Sequence, residues 1–452
     1  MSLPAPNPDA RADFRSTMDL GFCLPKTATV ENGHLVIGGV DMVSLAKEQG
    51  TALYVYDQAD IENRMHSYVD SFKKYYGNSA VCYASKAFLN KAMARLAKEH
   101  DMHLDVSGGG ELAIAQAVDF PMEKVVVHGN NKTPLELEEA IAAGVGRIVV
   151  DSHEELARIS EIAGKKGVTQ NIFLRITPGV EADTLDYIRT GAEDSKFGFT
   201  IRDDYAFTCI KDALDTPNVN LAGLHMHIGS QIFALNSYPE AIDVIVELAA
   251  RVKNEYGWEF EDIDVGGGLG IAYTVSDQPS TIDQFAKVLS TAMKESCEKY
   301  GIAAPRLLTE PGRSIVAVPG VTLYTVGSIK EISGIRKYVA IDGGMSDNIR
   351  PALYGASYES VVANKADAPR DDVVTLVGKH CESGDAVAFD ASLQTPEVGD
   401  IVCMFSTGAY CHSMSSNYNG QPRAGIVFVK DGVAKLVSRR ETYADLMACD
   451  IE

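Results

Sequence analysis

Four short stretches offer residues with chemistry to do. In "VCYASKAFLN", at 81–90, Lys86 stands where strand-like alternation gives way to the Ala, Leu and charged residues of a helix. An amine there can join a carbonyl as an imine once it is partly desolvated or set near cations, because a free lysine keeps its proton to about pH 10.4. Ala84, Ser85 and Ala87 leave room around it. Alone, a lysine at such a corner is commonly just solvated. In "DVGGGLG", at 264–270, Gly266, Gly267 and Gly268 leave backbone N–H groups bare enough to approach a phosphate, although a glycine run without a P-loop lysine or dinucleotide spacing also serves as a tight turn. Ser230 of "HIGSQ" and Gly312 of "EPGR" add a hydroxyl and another accessible N–H.

The other two stretches supply a ring and a carboxylate. His225 and His227 of "HMHIGS" are two apart and share one face of a strand. They read either as half of a metal site or, for His227 nearer the strand end, as a ring laid on a flat aromatic cofactor. Glu310 of "LLTEPGR" reads either as an ion-pair partner of Arg313 or as a carboxylate that keeps a pyridine nitrogen protonated. An imine-forming lysine, a phosphate cradle, a stacking histidine and a pyridinium partner together describe one cofactor, pyridoxal 5'-phosphate.

Such residues need strand ends to converge. From about residue 80, β-rich runs alternate with amphipathic stretches: "VCYAS", "HLDVS", "VVVHG", "RIVVDS", "NIFLRITP", "LAGLHMHIG", "DIDVGGG" and "RLLTEPG". Eight strand–helix units predict a closed (β/α)8 TIM-type barrel rather than an open doubly wound sheet. Lys86, Asp105, His128, Arg175, His227 and Glu310 all fall at the C-terminal ends of those runs, where active sites of this fold gather. After "EPGR" the chain turns β-rich with little helix pattern, as in "GVTLYTVGSIKEI" and "DIVCMFSTG", and the early "GHLVIGGVDMVSLAKEQGTALYVYD" has the same character. The expected architecture is therefore α/β plus β, with the all-β domain built from both chain ends. Its expected bounds are 1–50 for an N-terminal extension and first β strands, 51–316 for the barrel and 317–452 for the C-terminal β domain.

Composition narrows the setting. The 452 residues carry 41 Lys+Arg against 62 Asp+Glu, and a net charge of -21 argues against a nucleic-acid or anionic-membrane surface and for small-molecule substrates. The eight cysteines make no CxxC pair and no zinc spacing, which reads as reduced thiols. With no apolar run of membrane length and no hydrophobic signal core in "MSLPAPNPDARADFRS", a cytoplasmic enzyme with a frayed N-terminus is expected.

The motifs "YASKA", "HIGSQ", "DVGGGLGIAY", "EPGRSIVA", "DGGMSDNIRPALYG", "CESGD" and "GAYCHSMSSNYNGQPR" occur in this order from about residue 24 to the end. Together they closely resemble the diaminopimelate decarboxylase family, among the barrel-type decarboxylases that also include ornithine and arginine enzymes. The resemblance implies that Lys86 binds the cofactor covalently, His227 stacks on its ring and Glu310 meets its nitrogen. Asp105 would lie at the cofactor, with Ser230, Gly266, Gly267, Gly268, Gly312, Arg313 and Tyr410 at or beside its phosphate. Arg313, Arg350, Tyr354, Glu382 and Tyr410 would bind substrate, and Cys381 would return the proton after decarboxylation. Cys381 and Glu382 would come from the partner subunit of a homodimer. The implied reaction converts meso-2,6-diaminopimelate to L-lysine and CO2, the last step of lysine synthesis.

A rival on the same fold is an ornithine- or arginine-type decarboxylase, whose substrates end in a cation and call for acids at the far end of the pocket. Diaminopimelate ends in a second amino-acid group, which calls for the cations Arg313 and Arg350 and the acid Glu382. Rivals of another class are a metal-dependent barrel hydrolase built on "HMH" and a non-catalytic protein that keeps the fold. Two departures from the family pattern concern loops: Phe88 stands where many relatives have asparagine, and "SGGGEL" is a loose match after Asp105.

Overall fold

The eight β-rich runs form eight parallel strands in the computed structural model, which describes residues 17–180 and 195–451. The outermost part of the expected N-terminal extension, residues 1–16, lies outside the described residues. The strands are β1 (Ser79–Ala84), β2 (His103–Val106), β3 (Val125–Val127), β4 (Arg147–Val150), β5 (Gln170–Thr177), β6 (Val219–His225), β7 (Asp262–Asp264) and β8 (Arg306–Thr309). Each pairs with the next, and β8 pairs with β1 through Leu307 opposite Ser79, which closes the barrel. A short strand, Phe199–Thr200, adds itself beside β5.

Side chains two apart on a strand share a face, and that period stacks the barrel interior in layers. Cys82, Val126, Val149, Phe173, Ala222 and Leu308, from six different strands, form one buried apolar cluster. Two residues earlier on four of these strands the interior is polar. Asp262 on β7 accepts from Arg147 Nε at 2.8 Å and from Arg306 Nε at 2.7 Å, and Asn220 donates to Asn171 at 2.9 Å. Two residues later, past the apolar layer, come Ala84, His128, Asp151, Arg175 and Glu310. The apolar layer thus separates a structural ion network at one mouth from the chemistry at the other.

Local signals begin and end the helices that bridge the strands. Asn90 caps Lys91–Glu99 through Met93 N–H at 2.9 Å. Thr133 and Glu136 form a capping box on Pro134–Ala143, with Pro134 in the first turn where its missing N–H costs nothing. Ser152 caps His153–Lys166, and Gly167 ends it in the left-handed conformation.

The second unit is β-rich and takes strands from both ends of the chain. Leu53–Asp57 sits between Gly320–Ile332, antiparallel to it, and Gly425–Lys430, parallel to it. Leu53, Val55, Val321, Leu323, Val427 and Val429 alternate onto one apolar core together with Cys403 and Phe405. The 13-residue strand Gly320–Ile332 runs on to pair with Arg336–Ile341. By their contacts, the β unit comprises the chain up to Asn63, Ile271–Gln278 and Arg313–Glu452, and the barrel unit comprises Arg64–Gly270 and Pro279–Gly312. Against expected bounds at 51 and 316, these divisions fall at 63 and 312 because the strand at 53–57 hydrogen-bonds into the β unit. A further excursion at 271–278 joins that unit directly after β7. Among the described residues no helix is long and apolar enough to cross a membrane.

Candidate active site

The chain leaves β1 in a single 3-10 turn, Ser85–Ala87, which lifts Lys86 out of the strand. Its side chain is 44% exposed, yet Nζ lies 3.5 Å from Oδ2 of Asp105, which is fully buried at the end of the adjacent strand β2. Ser85 and Ala87 on either side are buried. Phe88 is buried as well, and its carbonyl accepts from the Tyr83 hydroxyl, so the residue that departs from the family pattern is part of the packing at this corner. In "SGGGEL" Gly109 opens the helix Gly109–Gln116 and Glu111 accepts from Ser107 N–H at 2.6 Å. Burial pushes Glu111 up to about 7.

Glu310, one residue past β8, has only 4% of its side chain exposed and is held by two histidines. His225 Nε2 is 3.1 Å from Oε2, in hydrogen-bond geometry, and His128 Nε2 is 2.6 Å from Oε1 as a close polar contact without that alignment. The two imidazoles meet edge to face, 4.9 Å apart. Burial works against the charge on Glu310, but His128 and His225 outweigh it and hold the carboxyl well below its usual range. Asp264 goes the other way, pushed well up by its burial and by the Glu310 charge. The two neighbouring acids are thus driven in opposite directions, Asp264 toward its neutral form and Glu310 toward its charged one. Burial, with the charges of Lys86 and Arg175, holds His227 well below its usual range, so its ring is neutral.

The glycines let the loops after β7 and β8 touch. A Cβ on Gly267 would stand 2.2 Å from the Glu310 carbonyl oxygen, and Gly266 has φ +69 with its N–H donated to Asp264 Oδ1 at 2.9 Å. Gly266 therefore supplies the turn. The Gly268 carbonyl accepts from Ile232 N–H, just past the half-buried Ser230. A Cβ on Gly312 would come within 2.9 Å of Ala84 Cβ, which seats the end of β8 beside the lysine corner.

The other candidates lie in the β unit. Arg313 is buried and donates to the Tyr273 hydroxyl, and its guanidinium lies 4.8 Å from the Tyr410 ring centre. Arg350 Nε donates to the Tyr358 hydroxyl at 2.8 Å, with Tyr354 5.4 Å and Tyr410 5.7 Å from its guanidinium. Two guanidiniums in a box of tyrosines make a site for carboxylates. Cys381 and Glu382 are exposed: Cys381 N–H donates to Asn419 Oδ1 at 2.8 Å, and Glu382 Oε1 accepts from Gly384 N–H at 3.1 Å. Their loop is folded on itself by Asp385, which accepts from the backbone and ring of His380, each at 2.8 Å.

The barrel unit therefore gathers Lys86, Asp105, His227, Glu310 and the glycines, and the β unit gathers Arg313, Arg350, Tyr354 and Tyr410. Cys381 and Glu382 hydrogen-bond outside that aromatic box. Sequence reading passed over the contacts of His128 and His225 with Glu310, the burial of Asp264 beside it, and the contacts of Tyr273 and Tyr358. The position of His128 at a strand end, and Tyr273 inside "DVGGGLGIAY", were the signals available.

Residues 58–317 match the family described as "Pyridoxal-dependent decarboxylase, pyridoxal binding domain". Over 421 residues the chain is 45% identical to a diaminopimelate decarboxylase of Bacillus subtilis, covering 93% of this chain and 96% of that one. The chain belongs to the diaminopimelate decarboxylase family. Solved diaminopimelate decarboxylases share its fold: the M. jannaschii enzyme in co-complex with L-lysine superposes with a TM-score of 0.88 at 37% identity, over 95% of this chain and 98% of that one. The Helicobacter pylori enzyme complexed with L-lysine gives 0.82 at 29%, over 90% and 98%.

Family members take pyridoxal phosphate, and the barrel residues suit it. Asp105 Oδ1, Ser85 Oγ and Asp264 Oδ2 are buried and have no hydrogen-bond partner among the described residues, as expected where a polar group docks. The trio His128, His225 and Glu310 is close enough to share a metal ion, but the family match sets the hydrolase reading aside.

Proposed function

We propose that the protein decarboxylates meso-2,6-diaminopimelate to L-lysine and CO2 with pyridoxal 5'-phosphate, the last step of lysine synthesis. Given the family, the observation that carries the substrate is Arg350. It is a half-buried guanidinium oriented by Tyr358 and ringed by tyrosines, and among the described residues no carboxylate pairs with it. A substrate with a second carboxylate meets that cation, whereas ornithine and arginine would bring a second cation to it.

When bound, pyridoxal phosphate supplies the electron sink that lets a carboxylate leave as CO2. Lys86 anchors the cofactor covalently, with Asp105 orienting its amine from 3.5 Å. The neutral His227 ring would stack on the cofactor, and Glu310 would face its ring nitrogen. Gly267, Gly268 and Gly312 with Ser230, on the turn made by Gly266, would receive the phosphate. Arg313, Arg350, Tyr354, Tyr410 and Glu382 hold the substrate, and Cys381 delivers a proton to the carbon that has lost CO2. Glu382 and Cys381 are exposed, which suits residues offered to a partner subunit, and the working unit is a homodimer. Eight cysteines without a disulfide suit a cytoplasmic protein. The test is incubation of the purified protein with pyridoxal phosphate and meso-diaminopimelate. CO2 and lysine should appear in equal amounts, and their absence, or faster turnover of ornithine or arginine, refutes the assignment.

A further inference from the structure

Glu310 is a buried carboxylate for which, among the described residues, no lysine or arginine forms an ion pair. Burying a charge without a counter-charge is costly, so a site keeps such a group only where something else balances it. From the contacts of Glu310 with His128 and His225, at 2.6 and 3.1 Å, we infer that these histidines are positioning residues that hold it as an aimed anion, its charge left for the cofactor's ring nitrogen to match. This rests on the reading that the barrel binds pyridoxal phosphate.

The choice of imidazole matters. An arginine in place of His225 would orient the carboxylate and also cancel its charge, so a proton on the ring nitrogen would gain little. Burial lowers His225 to about 4, so near neutral pH it is an uncharged donor. With the proton on Nε2 facing Glu310, its buried Nδ1 accepts nothing among the described residues. The remaining charged groups around the pair do not stand in for a counter-ion. Asp105, 3.9 Å from His128 Nε2, is another acid, and burial pushes Asp264 toward its neutral form. Arg175 acts on Glu310 without an ion pair between them, its guanidinium stacked 4.2 Å from the Phe197 ring. With His225 hydrogen-bonded to one oxygen and His128 in close contact with the other, Glu310 also cannot turn toward Arg175 without losing a contact.

The test uses the holoenzyme with ring-15N-labelled pyridoxal phosphate, whose NMR shift reports whether the ring nitrogen is protonated. The wild-type nitrogen should be protonated near neutral pH. Changing both His128→Leu and His225→Leu should move the signal toward the unprotonated position, as Glu310→Gln does, and lower kcat by about 10-fold to 100-fold, the range for losing groups that orient a functional one, with KM little changed. The donor-keeping pair His128→Gln and His225→Gln should recover most of both. An unprotonated nitrogen in the wild-type holoenzyme overturns the inference whatever the variants do. An unmoved signal in leucine variants that still hold the cofactor also overturns it and leaves the decarboxylase reading intact. Wild-type protein that takes up no pyridoxal phosphate removes the reading on which the inference rests.

Discussion

A lysine is useful as an anchor only where its amine is reachable yet directed, and Lys86 meets both conditions through an exposed side chain aimed at a buried carboxylate. Borohydride reduction of the holoenzyme should therefore fix the cofactor to Lys86, and Lys86→Ala should lose both the adduct and turnover. Peptide mapping that finds the adduct on another lysine would reject this. Arg350 sets a second expectation. Removing one charge-assisted contact to a bound carboxylate costs about 1.5–3 kcal/mol, so Arg350→Ala should lower kcat/KM for diaminopimelate by roughly 10-fold to 100-fold. Residual activity on lysine or ornithine, which lack the second carboxylate, should fall far less. Equal losses on all substrates would mean that Arg350 does not read that group.

At the level of elements, the barrel orders its interior by layers, and each layer can be perturbed separately. Gly267 lets the loop after β7 lie on the Glu310 carbonyl. Gly267→Ala must push that loop or the end of β8 aside, an overpacking cost of about 1–3 kcal/mol. The expected result is weaker pyridoxal phosphate binding together with a lower melting temperature, read by titration and calorimetry. At the opposite mouth, Asp262 joins Arg147 and Arg306 far along the strands from the lysine. Asp262→Ala leaves two arginines without their buried partner and should cost about 3–5 kcal/mol in denaturant melts. The activity per folded molecule should change little, since the apolar layer containing Phe173 and Leu308 stands between. A stable Asp262→Ala protein would show that this network is solvated rather than structural.

For the whole molecule, the prediction concerns which chain completes which site. Cys381 and Glu382 are exposed on a loop whose own hydrogen bonds hold its shape, as suits a loop presented to another copy. Lys86→Ala and Glu382→Ala should each be inactive alone. Mixed under conditions that exchange subunits, they should regain part of the activity, because a mixed dimer has one site with both residues intact and one with neither. Mixed dimers verified by mass spectrometry but inactive would mean that each chain completes its own site.

What the sequence determined by itself was local or periodic. Alternating runs ending in Lys86, Asp105, His227 and Glu310 declared eight strands and the end at which chemistry gathers, because strand period and turn chemistry act over a few residues. The motifs from "YASKA" to "GAYCHSM" were specific enough to indicate the family. Tertiary structure alone decided that Glu310 faces His128 and His225 rather than pairing with Arg313, although Arg313 is only three residues away in the chain. It also decided that Asp264 and Glu310 are pushed in opposite directions, and that the strand at 53–57 lies between partners at 320–323 and 425–429. These outcomes depend on which strands become neighbours and on the desolvation each group then suffers. Both arise from closure of the whole sheet, to which residues far apart in the chain contribute at once.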